Sequence, residues 1–93
     1  YFDVILGSDI NQPKMTKAEV IEQVLRKLGY EKKKERVVMI GDRSHDAEGA
    51  KQVGIACIGV TYGYGTKAEL LQAGAGEIAE TVEEIEKILE RKN

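Results

Sequence analysis

The sequence has no excess of basic residues, almost no cysteine and no long apolar run. Its 14 lysines and arginines stand against 16 acidic residues, which gives a formal net charge of −2. Because contact with a nucleic-acid backbone needs a basic surface, we do not expect nucleic acid as the main partner. No apolar run approaches the roughly 20 residues that cross a bilayer, and no signal peptide opens the chain. We therefore expect no membrane partner.

Cys57 is the only cysteine. A single cysteine forms no internal disulfide, which is compatible with a reducing cytoplasm, and we predict a cytoplasmic location. Cys57 lies in the apolar run 55–60, so it is predicted to be a core residue rather than a nucleophile. No repeat, low-complexity tract or convincing linker divides residues 1–93. The chain is therefore predicted to be one small domain or a piece of one.

Apolar strands alternate with amphipathic helices along the chain. Strands are predicted at 1–6, 37–40, 55–60 and 77–79, and helices from Thr16 to Gly29, over 46–52, from Thr66 through 72 and after Thr81. Each of these threonines is followed three residues later by a glutamate, the capping-box pattern of a helix start. In the last helix the residues predicted to share the packed side are Val82, Ile85, Ile88 and Leu89. This alternation predicts a parallel sheet covered on both faces. Because residue 1 begins a strand without a polar lead-in, we expect the sequence to be part of something longer.

Two acids follow the apolar strand 37–40. Gly41 ends the run, Asp42 comes next, and Asp46 falls in the first turn of the following helix. Both carboxylates can face the crevice above the carboxyl ends of the strands, where open α/β sheets bind ligands. Converging acids suit magnesium, which takes oxygen ligands, waters and substrate phosphate. A turn aspartate followed by an ordinary helix-start aspartate is the alternative, and the spacing leaves both open.

Four basic side chains are further candidates. Lys17 lies in the first turn of its helix, where a positive charge opposes the dipole, so it is either solvated or paired with an anion. Lys14 is its neighbour. Arg43 could pair with either acid or with a ligand anion. His45 could act as an acid or base, but beside a capping serine it is more simply a surface residue.

A rival motif lies at residues 63–68. This stretch reads G-x-G-x-x-A, follows a strand and opens a helix, as in dinucleotide-binding loops. Glu80 stands close to where a ribose-binding acid would be expected. The short helix that follows is broken by Gly74 and Gly76, which weakens the dinucleotide interpretation.

Taken together, five segments resemble the haloacid dehalogenase-like (HAD) hydrolases, in particular the phosphoglycolate phosphatase-like branch. The matching segments are 1–8, 17–21, 38–46, 49–51 and 59–65, in the family's order and through nearly the whole chain. The resemblance implies a Rossmann-like three-layer α/β/α core and magnesium-dependent transfer of a phosphoryl group to an aspartate and then to water. A small phosphorylated metabolite is the implied partner.

The resemblance also assigns roles to residues. Asp42 would be a magnesium ligand, and Asp46 would support the metal directly or through a hydrogen bond or water. Lys17 would be catalytic and substrate-binding, because its charge would neutralise the phosphate and the nucleophile. Arg43 is a further candidate for binding the substrate anion. The glycine loop at 63–65 would line the site instead of binding a dinucleotide.

The family's D-x-D motif, which carries the nucleophile and general acid, is missing from these residues. So are the motif with the phosphate-binding Ser/Thr and any cap domain, so the chain resembles the C-terminal half of such an enzyme, a single partial core domain. In relatives the D-x-D strand lies between the strand before Asp42 and the earlier strands. We therefore predict no turnover by this chain alone, and either altered strand pairing or self-association through an unpaired strand edge.

Two other classes of protein remain as alternatives. One is a non-catalytic phosphate- or nucleotide-binding βα module that uses the glycine loop and the start of the Thr66 helix. The other is a receiver-like signalling domain, which would want an acidic pair on an early strand. That pair is not in the sequence.

Overall fold

The computed structural model describes residues 2–62 and 65–91, in which strands and helices alternate. In chain order the elements are β1 (Val4–Gly7), α1 (Lys17–Leu28), β2 (Val37–Gly41), α2 (Ser44–Val53), β3 (Ala56–Val60), α3 (Lys67–Ala73), β4 (Glu77–Ala79) and α4 (Val82–Arg91). A short 3₁₀ turn, Lys34–Arg36, leads into β2. Within the described ranges, no helix has the length and apolar character to cross a membrane.

The four strands form one parallel sheet in the order β1-β2-β3-β4. Val4 lies opposite Val37, so β1 pairs directly with β2. This is the place where the family resemblance puts the D-x-D strand. β1 and β2 are therefore direct neighbours with no strand between them, and the outer edge of β1 has no strand partner among the described residues.

Alternate side chains of the strands enter two separate cores. Under α1, α2 and α3, the buried residues include Ile21, Leu25, Val37, Met39, Ala47, Ala50, Cys57 and Leu70. Under α4, on the other face of the sheet, they are Val38, Ile58, Val60, Ala79, Ile85 and Ile88. The predicted three-layer α/β/α architecture with a parallel sheet is confirmed.

Short-range signals place most of the helix ends correctly. Thr16 and Glu19 form the predicted reciprocal capping box of α1, and Gly29 ends that helix in the left-handed conformation. Thr66 and Thr81 accept backbone hydrogen bonds from Glu69 and Glu84, in agreement with the predicted starts of α3 and α4.

The structure differs from several sequence-based boundaries. Strand β1 is Val4–Gly7 rather than 1–6, β2 ends at Gly41 rather than 40, and β3 begins at Ala56 rather than 55. Helix α2 begins at Ser44 rather than 46, so Arg43, not Ser44, is its N-cap. Helix α3 extends to Ala73, one residue further than predicted. Val82, the first residue of α4, is 59% exposed instead of packed. Residue 1 of the predicted first strand lies outside the described residues.

Candidate functional site

A depression lies at the carboxyl ends of β1 and β2. Parallel strands bring their carboxyl ends to one edge of the sheet, so the loop after β1 and the start of α2 meet there. The depression has a volume of about 480 Å³, and the described residues that line it are Ser8, Asn11, Asp42, Arg43, His45 and Asp46. The two predicted acids therefore share one site with the loop that follows β1.

Asp46 is fully buried and fixes the start of α2. Its Oδ2 accepts a hydrogen bond of 3.3 Å from the Arg43 amide, and its own amide donates to the Arg43 carbonyl at 3.1 Å. Its Oδ1 lies 2.9 Å from Lys17 Nζ. A carboxylate in the first turn also suits the positive end of the helix dipole. Asp46 thus closes the helix start and holds a buried ion pair.

Gly41 makes room for this carboxylate. A Cβ placed on Gly41 would lie 2.7 Å from Asp46 Oδ2, well inside van der Waals contact. The glycine at the end of β2 therefore serves the packing of Asp46 against the strand. Any larger residue would push the carboxylate away from the Arg43 amide.

Lys17 lies behind the depression instead of at its surface. Its side chain is 3% exposed, and its ammonium donates to the carbonyls of Ser8 at 3.0 Å and Ile10 at 3.1 Å. With Asp46 Oδ1, three oxygens surround the charge. The predicted conflict between this cation and the N-terminal end of α1 is offset by these partners. The interpretation of Lys17 as an exposed, solvated residue is wrong.

Asp42 is half-buried and faces the depression. Its backbone carbonyl accepts a hydrogen bond of 2.6 Å from the amide of Gly65, at the end of the loop after β3. This bond brings the rival glycine loop against the same edge of the sheet. Residues 63 and 64 of that loop lie outside the described residues, and Glu80 is exposed.

Arg43 and His45 form one rim of the depression. The Arg43 amide is held by Asp46, and its side chain is exposed at the start of α2. The His45 side chain is 53% exposed, and its Nε2 lies 3.7 Å from Asp46 Oδ1. Lys14 is exposed in the loop before α1 and adopts a left-handed backbone conformation. The roles assigned to Arg43 and His45 stay predictions.

Two residues that line the depression, Ser8 and Asn11, are not among the candidates that the sequence indicates. The Asn11 side chain donates to the Ser8 carbonyl at 3.2 Å, which shapes the loop after β1. The signal that could have found both residues is their position directly after a strand at the carboxyl edge of the sheet. A short polar loop in that position is where α/β proteins place ligand-binding groups.

The donor set fits only part of a magnesium site. Among residues 2–62 and 65–91, no cluster of three or more His, Cys, Asp and Glu side chains could hold a metal. Asp42 offers a carboxylate at the depression, and magnesium binds through one or two carboxylates with waters and substrate oxygens. Asp46 Oδ1 is buried without a well-formed hydrogen bond and faces an ammonium, which suits indirect support better than ligation.

Cys57 lies in the core beneath this site. Burial, and to a smaller extent the charge of Asp46, together raise the pKa of its thiol to about 12. The thiol is therefore protonated at neutral pH and is a poor nucleophile. The prediction of a core residue is confirmed.

The fold is that of a Rossmann-like α/β protein, with two acids at the carboxyl end of β2. A family model described as HAD-hydrolase-like matches residues 16–86. A 5'-nucleotidase from Pseudomonas aeruginosa is 43% identical over 70 residues, which is 75% of this chain and 31% of the relative. This chain belongs to the HAD-like hydrolase family.

Other relatives agree with the phosphoglycolate phosphatase-like branch. A phosphoglycolate phosphatase from Salmonella choleraesuis is 36% identical over 64 residues, covering 69% of this chain and 25% of the relative. The crystal structure of a putative phosphatase from Clostridium difficile superposes with a TM-score of 0.77 at 44% identity, over 96% of this chain and 41% of that one. The chain spans about a quarter to a third of the length of the curated relatives named here.

Proposed function

We propose that this chain is the metal- and lysine-bearing part of a magnesium-dependent HAD-like phosphatase that hydrolyses a small phosphomonoester. The observation that carries the proposal is the meeting of Asp42 and the Lys17–Asp46 pair around one depression at the carboxyl edge of the sheet. The family membership supports it, because the relatives named above are a nucleotidase and phosphatases.

Each residue has one part in the proposed site. Asp42 would hold the magnesium ion (Mg²⁺), which when bound supplies charge to offset that of a phosphoryl group. Asp46 would fix the position of the Lys17 ammonium instead of ligating the metal. Lys17 adds positive charge from behind the Ser8 loop, and Arg43 at the rim would bind an anionic group of the substrate. Placement of charge is the main source of catalysis in phosphoryl transfer.

The proposed chemistry of this chain alone stops at binding. Transfer of the phosphoryl group needs an aspartate nucleophile from a D-x-D motif, and these 93 residues have none. For this reason a non-catalytic phosphate-binding module is the second candidate function. Both functions predict binding of phosphate, but only the phosphatase proposal predicts binding of Mg²⁺ at Asp42, and turnover requires a nucleophile from outside these residues.

Self-association is a further part of the proposal. The outer edge of β1 is unpaired within the described residues, and Ile5 on the same strand is 54% exposed. An unpaired strand edge with an exposed apolar side chain is a template for pairing with another chain. We expect a concentration-dependent increase in mass in sedimentation velocity, and Ile5→Lys should reduce it.

The test of the metal site is a calorimetric titration of Mg²⁺ in the presence of inorganic phosphate. Asp42→Asn should remove binding, because it deletes the carboxylate that faces the depression. Glu48→Gln is the matched control, since Glu48 is an exposed acid on α2. Equal binding by wild type and Asp42→Asn would refute the metal assignment. Turnover of an aryl phosphate at an enzyme's usual rate would refute the predicted inactivity.

A further inference from the structure

Gly49 lies in the middle of α2, where glycine weakens a helix relative to alanine. The glycines at 29, 54 and 74 differ, because each ends a helix with a positive φ angle. Gly49 has no such angle, so its backbone conformation does not require glycine. The reason for a glycine at position 49 is therefore the space that a side chain would need there.

The neighbour that occupies this space is Lys17. A Cβ placed on Gly49 would lie 2.8 Å from both Cβ and Cγ of Lys17 and 3.0 Å from the Ala18 amide nitrogen. A real Cβ atom almost never lies within 3.0 Å of an atom outside its own and the adjacent residues. The aliphatic part of the Lys17 side chain, here called its stem, therefore packs directly against the Cα of Gly49.

The charged end of the same side chain meets the same helix. Asp46 lies three residues before Gly49, and residues at this spacing share a helix face. Lys17 therefore touches α2 twice, with its stem at Gly49 and with its ammonium 2.9 Å from Asp46 Oδ1. The ammonium also holds the carbonyls of Ser8 and Ile10. A side chain at position 49 would displace the stem and, with it, the charge.

We propose that Gly49 is a positioning residue for Lys17: its missing side chain lets the first turn of α1 approach α2 closely enough for the ammonium to reach Asp46. The consequence for phosphate binding rests on the proposed function of Lys17. The positioning itself depends only on the contacts above. It can therefore hold even if the chain binds no phosphate.

The experiment is Gly49→Ala in the full chain, with the ¹H–¹⁵N signal of the Lys17 ammonium as the readout. A buried ammonium between three oxygens exchanges its protons slowly enough to be observed, and Lys17→Arg identifies the signal by its loss. We expect Gly49→Ala to shift or remove the signal while the amide spectrum stays that of a folded protein. Glu48→Ala, on the exposed side of α2, should leave the signal unchanged.

An unchanged ammonium signal in a folded Gly49→Ala protein would overturn the proposal. If Gly49→Ala does not fold, the same substitution in a Lys17→Gly, Asp46→Asn background decides, because this background has neither the lysine stem that the new methyl group meets nor an unpaired buried charge at Asp46. The proposal expects Gly49→Ala to fold in this background and to cost little stability there. A protein that again fails to fold with Gly49→Ala, although the background itself folds, would assign the clash to the Ala18 backbone and would overturn the proposal. Mg²⁺ binding at Asp42, measured separately, reports on the proposed function.

Discussion

Two ion pairs at opposite edges of the sheet show how burial changes the role of the same kind of contact. At the carboxyl edge, Lys17 and Asp46 lie 2.9 Å apart with side chains 3% and 1% exposed. At the amino edge, Arg36 and Asp3 lie 3.4 Å apart with side chains 46% and 30% exposed. Tyr30 adds a hydrogen bond to Asp3 at 3.2 Å.

Each pair links segments at one edge of the sheet, but the Arg36–Asp3 pair is accessible to water and the Lys17–Asp46 pair is not. The Asp3 amide also donates to the Arg36 carbonyl at 2.8 Å, so the backbone already joins the starts of β1 and β2 there. At the carboxyl edge the Lys17 side chain itself links α1, the loop after β1 and α2. Water can replace a missing partner in the exposed Arg36–Asp3 pair. Removing one partner of the Lys17–Asp46 pair instead leaves an unpaired buried charge.

The largest effect is expected from breaking the buried pair. Asp46→Asn removes the negative charge but keeps the side-chain shape and an oxygen for the Arg43 amide. We expect the free energy of unfolding to fall by about 3–5 kcal/mol, measured by urea denaturation, because the Lys17 charge stays buried without a counter-charge. The double variant Lys17→Met, Asp46→Asn should recover much of the loss. A single variant as stable as wild type would contradict the comparison.

For each unit of pH above 9, a smaller effect is expected from Cys57, which lies near the buried pair. The pKa of its thiol in the folded protein is about 12, against an ordinary value of 9.0. Between these values the unfolded chain releases the proton and the folded chain keeps it. This contribution to stability is therefore complete below pH 9 and falls as the pH rises through this window, by at most about 1.4 kcal/mol per pH unit.

The measurement is the difference in urea stability between wild type and Cys57→Ala across this pH range, since other groups titrate in both proteins. Asp46→Asn should lower the pKa of the Cys57 thiol, because it removes the second cause of the shift. Faster alkylation of folded Asp46→Asn than of folded wild type at the same pH would agree with this. An identical pH dependence in wild type and Cys57→Ala would show that the thiol is not shielded as described.

The smallest effect is expected at the amino edge. Asp3→Asn should lower the free energy of unfolding by less than about 1 kcal/mol, because exposed ion pairs contribute little. The loss should shrink further in 1 M salt, where charges are screened over about 3 Å. The effect of Asp46→Asn should change far less with salt. A salt-independent loss at Asp3 would show that the two pairs are not distinguished by exposure.

The features predicted correctly from sequence are those set by neighbouring residues. Thr16 with Glu19 and the glycine at 29 fix both ends of α1 within single helical turns. The apolar run before Asp42 is a strand whose residues are buried from both faces, so composition alone identifies it. Local patterns locate the start of α2 only to within two residues, because the cap there is the carboxylate of Asp46 reaching back to a backbone amide, which needs no Ser or Thr.

Contacts between residues far apart in the sequence cannot be predicted from such local patterns. Sequence reasoning placed Lys17 and Asp42 around one anion, but nothing local indicated that the Lys17 ammonium would lie on Asp46 and on two carbonyls of the β1 loop. The absence of the D-x-D strand predicted an altered strand pairing, but not that β1 would pair directly with β2, which depends on the strands that compete for the same edge. Three-dimensional packing decides both the contacts of Lys17 and the pairing of β1, and no periodic pattern in the sequence indicates such packing.

The three-way attachment of Lys17 has a consequence for mutational scanning. A screen that selects only for cellular abundance should reject nearly every substitution at position 17, because one ammonium fastens three segments of backbone. The same screen should tolerate changes at Asp42, whose half-buried side chain faces the depression. Comparing abundance with ligand capture across a variant library would therefore separate the groups that build this edge of the sheet from those that act on a ligand.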